Sequence, residues 1–544
     1  MEESPKMTNQ SDPQNKWFDL HGPVAYPAMV LITIFIALTL IFNQQASSIF
    51  GAVQTGISNY AGWFFILAVN VFLFFMLYLA FSKFGYIRLG GKDAEPEFST
   101  FSWFAMLFSA GMGIGILFWS VAEPIYHFSS PPMGEAGTVE AATQAMDLTF
   151  LHWGFHAWGI YALVALALAF FAYNRDMPLT IRSVFYPVLG DRVYGWIGNV
   201  IDILAVIATL FGLATSLGLG VKQVSAGLNY LFELPDNVTT QVLLITGITG
   251  AATISVVLGL DKGVKVLSQL NMNLGALFLV FVIAVGPTLF IFDSFVQNLG
   301  SYLSSVVQTS FWTESYRQSD WQNSWTVFYW AWWISWSPFV GMFIARVSRG
   351  RTVREFVLGV LIVPTLLTFL WLSSFGGSAI FLELQGMAEI TSAVKANVST
   401  ALYVLLENFP LSFITSLIGI TLVTSFFVTS SDSGSLVVDS LTAGGKLDAP
   451  VGQRIFWAVT EGAVAAVLLI GGGLSALQTA AITTGLPFTL VLLLMCYSVF
   501  RGLKQEHLSH EEFRENKRRQ TYQKLIRDMV TDDSTEPNHT SVDS

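Results

Sequence analysis

Residues 325–336 read WTVFYWAWWISW, five Trp in twelve positions, where sixteen Trp in 544 residues would put about 0.35. Tryptophan carries two chemistries: an indole N–H that wants an acceptor when buried, and a ring face of negative quadrupole. Helical spacing places Trp332 and Trp336 on one face, with Trp333 about 100° round. An interfacial belt would sit at span ends, which suits Trp325 but not the mid-span residues. Packing core is a second reading. A third is a box of ring faces around a quaternary ammonium, a cation that sheds water easily and has no hydrogen bond to give. Residues 152–161, HWGFHAWGIY, add Trp153, Trp158 and Tyr161 as candidates for the same cavity. His152 and His156 read more readily as hydrogen-bonded core residues than as proton relays.

A second constellation is SAGMGIGILFW, residues 109–119. Gly111, Gly113 and Gly115 alternate, and each weakens a helix by about 1 kcal/mol relative to Ala. Small residues four apart allow close helix packing in membranes. Alternate spacing does not fit that motif. It fits a flexible break at mid-membrane, where carbonyls of an unwound segment line a cavity. In SPFVG, residues 337–341, Pro338 is expected to interrupt the tryptophan-bearing span by removing one N–H and freeing a carbonyl one turn earlier.

The elements that must hold these residues are apolar helices. The chain is 53% hydrophobic and only 12% charged, with mean hydropathy +0.57, against about 25% charged in soluble domains. This predicts an all-α integral membrane protein with twelve transmembrane helices, near 24–43, 61–82, 102–124, 143–172, 194–230, 238–260, 265–291, 321–345, 353–376, 411–433, 452–473 and 476–500. With both termini cytoplasmic, all Lys and Arg except Lys222, Arg317 and Lys395 fall inside, as the positive-inside rule asks. The interrupted third and eighth spans each open a group of five. Residues 102–292 and 321–501 then read as two five-helix repeats of opposite topology, with the site between the broken helices. Residues 23–83 supply two peripheral helices. Residues 293–320 form an amphipathic connection outside, with 139–147 and 393–408 also amphipathic. Residues 1–22 and 502–544 are cytoplasmic tails, the first without the form of a cleaved signal peptide. The lone Cys496 excludes an internal disulfide. The net charge of −10 carries no nucleic-acid signature. No nucleophile motif marks an enzyme, and no charge ring marks a pore.

AGMGIGILFWSVAEP (110–124), the HW…HAW…Y spacing and WTVFYWAWWISWSPFVGMFIARVSRGRTVREF (325–356) resemble the betaine/carnitine/choline transporter family over about residues 20–500. The resemblance implies a 5+5 inverted-repeat (LeuT-like) core in a homotrimer, set in the bacterial inner membrane. It implies a substrate box of Trp153, Tyr161, Trp332, Trp333 and Trp336, with Trp158 and Phe343 on the pathway or inner gate. For sodium-coupled members it implies a sodium site from the carbonyls of Met112 and Phe426 and the hydroxyls of Thr429 and Ser430, in the stretch SFFVTSSDS (425–433). Ser109 stands there where Ala is common. Proton-coupled choline members tend to carry a carboxylate in the glycine loop, where this chain has Gly113 and Gly115. A second sodium site would use two Thr four apart, but here the pair is Thr209 and Leu213.

The expected activity is therefore sodium symport of an onium osmolyte, glycine betaine first, with no cofactor beyond the coupling ion. The alternatives are proton-coupled choline uptake, uptake of a sulfonium compound or ectoine, and betaine/carnitine-type exchange. A rival of another class is an onium sensor or channel that does not pump. The charged helical stretch before Val530 raises a regulatory role for the tail, such as docking on anionic lipid.

Overall fold

The computed structural model describes residues 17–111, 113–258, 265–317, 319–446 and 448–533. Among them the chain is helical, with one isolated β-bridge between Arg88 and Thr352. The principal helices are α1 (Gly22–Ile41), α2 (Asn43–Phe81), α3 (Thr100–Gly111), α4 (Ile114–Ser129), α5 (Val139–Trp153), α6 (Phe155–Arg175), α7 (Trp196–Phe232) and α8 (Val238–Leu258). They continue with α9 (Lys265–Val285), α10 (Thr288–Ser310), α11 (Thr326–Val347), α12 (Val353–Leu372), α13 (Ser378–Leu384), α14 (Ser412–Thr442) and the helical run α15 (Val451–Asp533).

Burial sorts these helices into centre and rim. The apolar window of the α5–α6 pair is 89% buried, against 28% for α1 and 22% for α9. The rim helices turn Val30, Leu31 and Leu277 outward, as a lipid-facing surface requires. At the centre, α11 packs against α6, α15 and α7, which puts the tryptophan-rich helix in the core and not at an interface.

The expected break between α3 and α4 is present. Gly113 is extended (φ −164°, ψ −170°), and the two helices are bent by 66°. Gly111 ends α3, and Met112 lies outside the described residues. The second expected break is absent: α11 runs unbroken through Pro338. The carbonyl that proline deprives of its partner belongs to Ile334, and the Ser337 hydroxyl donates to it at 2.7 Å. A side chain thus repairs the ladder, as neighbouring Ser and Thr do in membrane helices.

Other expectations also shift. The predicted span 265–291 ends at Val285, and α10 begins after Pro287. By length and apolar composition, nine helices among the described residues could cross a membrane, or ten with the bent α3–α4 pair counted as one. The count falls short of twelve for two visible reasons. The predicted spans 452–473 and 476–500 share α15, which is two helices joined across a kink at Gly472 and Gly473 (φ 58°). The Trp-rich α11 is 22 residues long but is not among the helices that qualify.

Candidate functional site

The expected box residues come together. Trp153 at the end of α5, Trp158 and Tyr161 on α6, and Trp332, Trp333 and Trp336 on α11 line one small cavity of about 30 Å³ with Gly113 and Gly115 of the break. Ser216 of α7 and Thr368 of α12 add hydroxyls. Trp158, assigned by resemblance to the pathway, shares this cavity and packs edge-on to Tyr161 at 5.6 Å. The rings of Trp332 and Trp333 do not splay by the 100° of their backbone positions. They stack on each other at 4.7 Å and 13°, and Trp153 meets Trp333 edge-on at 4.9 Å.

Three of the indole N–H groups have protein acceptors. Trp153 Nε1 donates to Glu123 Oε2 at 2.7 Å, Trp333 Nε1 to the His152 carbonyl at 2.8 Å, and Trp332 Nε1 to Ser216 Oγ at 3.3 Å. Two buried donors in the lining have no protein partner: the Tyr161 hydroxyl and Trp336 Nε1. An unpaired buried donor is costly. The box therefore offers aromatic faces together with two free donors, which suits a ligand with a cationic and an anionic end.

The glycines of the break have unequal tasks. A Cβ at Gly115 would lie 2.7 Å from Trp332 Cη2 and 3.3 Å from Trp153 Cη2, whereas one at Gly113 would meet only Trp336 at 3.7 Å. Gly115 lets the backbone approach the box; Gly113 supplies the extended turn.

Glu123 of α4 lies within AGMGIGILFWSVAEP (110–124), and the resemblance implies no role for it. It is fully buried and accepts from Trp153 Nε1 and from the Tyr329 hydroxyl through one oxygen. Its other oxygen lies 2.6 Å from His152 Nδ1 and 3.3 Å from His127 Nε2. His152 Nε2 continues to Thr326 at 2.9 Å, and His156 pairs with Asn70 at 3.2 Å. Both histidines are thus bonded core residues, as read from the sequence. Glu123, His127 and His152 place three potential metal ligands within 4.8 Å of one another, but each ligand atom already has a protein partner in this network. A buried acid between two helices was the available signal for Glu123.

Beside the box lies a larger cavity of about 590 Å³ that shares Ala110 and Trp336 with it. Phe343, expected on the pathway, lines it, with Glu97 and Arg346 also in its wall. Four of the expected sodium-site residues, Ser109, Phe426, Thr429 and Ser430, line the same cavity; the fifth is Met112. Thr429 donates to the carbonyls of Ser425 and Phe426 at 3.1 and 3.2 Å, and receives Asn271 Nδ2 at 3.2 Å. Asn271 of α9 was not anticipated, and its Oδ1 is buried without a donor. Neutral hydroxyl and amide oxygens facing a wide cavity suit a hard monovalent cation. Thr209 bonds its own helix at Ala205. Leu213 is buried and packs against Gly434, so that position adds no oxygen.

Further rings pack against the box. Tyr329 packs on Trp153 and Trp333 at 5.7 Å each, and Trp119 meets Trp325 at 5.4 Å. Aromatic rings thus crowd the Tyr329 side of the box, and the larger cavity adjoins it at Ala110 and Trp336.

Comparison with known proteins agrees with this arrangement. The sequence profile of the betaine/carnitine/choline family transporters matches residues 23–508. A glycine betaine/proline/choline transporter of Vibrio parahaemolyticus is 48% identical over 505 residues, 90% of this chain and 91% of that one. Glycine betaine transporter 1 of the same species is 49% identical over 515 residues, 93% and 98% of the two chains. A glycine betaine transporter of Acinetobacter baylyi is 45% identical over 495 residues, 91% and 75%. With its aromatic cavity at a broken helix and a match along nearly its whole length, the chain is a transporter and not an enzyme, and it belongs to the betaine/carnitine/choline transporter family.

Proposed function

We propose that this protein imports a zwitterionic onium osmolyte, glycine betaine first, by sodium symport. The observation that carries the choice of substrate is the pairing, in one cavity, of indole rings with the unpartnered donors Tyr161 OH and Trp336 Nε1. The faces take the trimethylammonium, and the donors take the carboxylate. The names of the relatives, glycine betaine transporters in three cases, support this reading. In the proposed arrangement twelve spans cross the inner membrane, the last ten as a 5+5 inverted repeat, in a homotrimer with both tails inside. The arrangement with the large cavity beside the box and rings crowding its Tyr329 side is then the inward-facing member of an alternating-access pair. Sodium binds at Ser109, Met112, Phe426, Thr429 and Ser430, four of which line the large cavity beside the box. Because betaine has no net charge, the membrane potential acts through the ion, at about 2.3 kcal/mol per charge per 100 mV.

Uptake of labelled glycine betaine into proteoliposomes tests this, with an imposed inward gradient of sodium or of protons. Accumulation is expected with sodium alone and is lost in Trp333→Ala. Accumulation driven by protons without sodium overturns the ion assignment. Uptake of neither kind overturns the substrate. Tyr161→Phe separates the two ends of the ligand. Losing one hydrogen bond to a charged group, worth about 1.5–3 kcal/mol, raises the KM for betaine by roughly ten- to a hundredfold. Inhibition by choline, which has no carboxylate, is expected to stay unchanged. Equal effects on both ligands refute the carboxylate contact.

A further inference from the structure

The polar run TSSDS, residues 429–433, is unusual in the middle of an apolar helix. Its residues serve two faces of α14. Thr429, Ser430 and Ser433 line the large cavity. Ser431 and Asp432 turn instead into a seam where α14 meets α8 and α15. Across that seam stands Glu461 of α15. It lies ten residues into a helix that begins at Val451, about 15 Å along at 1.5 Å per residue, which places it near mid-membrane.

Glu461 is fully buried. Its Oε2 accepts from Ser431 Oγ at 3.2 Å, while its Oε1 has no partner. Asp432 is also buried and accepts from Ser255 of α8 at 2.7 Å. Asp432 directly follows Ser431, whose hydroxyl meets Glu461, so the two acids border the same seam. Thr249 of α8 is only 8% exposed, and its hydroxyl is also without a partner. That hydroxyl abuts Gly462, the next residue after Glu461, and a Cβ there would collide with it. The nearby guanidinium of Arg454 faces Asp439 at 3.7 Å, and no ion pair joins it to Glu461 among the described residues. A buried carboxylate with one weak hydrogen bond, beside a second carboxylate and an orphaned hydroxyl, needs positive charge. The unsatisfied atoms of Glu461 and Thr249 are oxygens, the donor type a hard cation takes, while Arg454 Nε nearby is also without a hydrogen-bond partner.

We propose that the seam between α8, α14 and α15 binds a sodium ion through the carboxylates of Glu461 and Asp432 and the hydroxyls of Ser431 and Thr249. This is a second cation site, built from residues other than those beside the large cavity. It depends on the function proposed above only for the identity of the ion. Leu213 removes an oxygen from the place where a second ion would be expected on the resemblance, and its side chain packs against Gly434, within one turn of Ser431. The seam thus lies next to that place and supplies what Leu213 lacks. Its occupation would tie α14, which carries Thr429 and Ser430, to α8 and α15.

The test is equilibrium binding of radiolabelled sodium to the purified full-length protein in detergent, without betaine and with potassium holding ionic strength constant. The parent is compared with Glu461→Gln, with Thr249→Val and with the double variant Thr429→Ala/Ser430→Ala. Glu461→Gln is expected to lose one bound ion per chain. Thr249→Val keeps the side-chain shape, so it guards against a folding defect. It is expected to keep the stoichiometry and raise the half-saturating sodium concentration by about tenfold, the loss of one oxygen ligand. The double variant is expected to retain the Glu461-dependent ion. Parental binding in both Glu461→Gln and Thr249→Val overturns the site, and leaves Glu461 as a protonated acid. One ion lost in Glu461→Gln but kept in the double variant, with no sodium-driven uptake by the parent, upholds this site and overturns the coupling proposed above. No sodium bound by the parent overturns both.

Discussion

Glu123→Ala is expected to abolish uptake of the proposed substrate, betaine, and to reduce the yield of folded protein. The carboxylate serves Trp153, Tyr329, His152 and His127 at once, from a fully buried position. Removing it leaves four polar groups without that partner, each at a cost of about 1–3 kcal/mol, against a total stability on the order of 5–15 kcal/mol. The effect on function separates from the effect on folding in Glu123→Gln, which keeps volume and one acceptor oxygen. An amide turned toward the histidines leaves its oxygen for Trp153 and Tyr329; turned the other way, it sets an NH2 against two donors. Either way the hold on the Trp153 ring weakens. Loss of this orientation is expected to raise the KM for betaine by about tenfold or more with a smaller change in kcat. Thermal unfolding and size-exclusion profiles of both variants report on the fold; uptake kinetics report on the box. A parental KM in Glu123→Gln sinks the idea that this network orients the substrate site.

Gly115→Ala is the second large effect, and it comes from a single methyl group. The added carbon would sit 2.7 Å from Trp332 Cη2, closer than any ordinary contact, and 3.3 Å from Trp153 Cη2. Both rings are anchored through their indole N–H groups, Trp332 to Ser216 and Trp153 to Glu123. Neither yields without breaking a buried hydrogen bond, and overpacking of this kind costs about 1–3 kcal/mol. Uptake is expected to fall by roughly ten- to a hundredfold, since each 1.4 kcal/mol is a factor of about ten. Gly113→Ala is the matched comparison. Its Cβ meets one ring at an ordinary 3.7 Å, and its φ of −164° is open to any residue. The two variants should therefore differ strongly although the glycines are two residues apart. Equal loss in both would mean that backbone freedom, not room beside the rings, is what the glycines provide.

How much of this was legible in the residues follows from which interactions are local. Apolar runs and alternating glycines act along a single helix, so the helical membrane architecture and the α3–α4 break were readable directly. The aromatic residues of the box were readable because Trp at mid-helix is too rare and too demanding a residue to need little explanation. Partners across helices were not readable. The repair of Pro338 by Ser337 is local, yet whether a hydroxyl turns back to its helix depends on what surrounds it. The stacking of Trp332 on Trp333 reverses the direction expected from their backbone positions, because close-packed neighbours select the side-chain rotamers. Glu123 meets His152 across 29 positions, Ser255 meets Asp432 across 177, and Asn271 meets Thr429 across 158. The sequence by itself determined that the chain is a helical membrane protein, that it bends between α3 and α4, and which rings line one cavity. Only the tertiary structure decided which acid orients those rings, which donors are left free for a ligand, and that Glu461 stands beside Asp432. Those pairings depend on helix faces meeting in space, and helical periodicity fixes the faces of one helix without saying which neighbour each will touch.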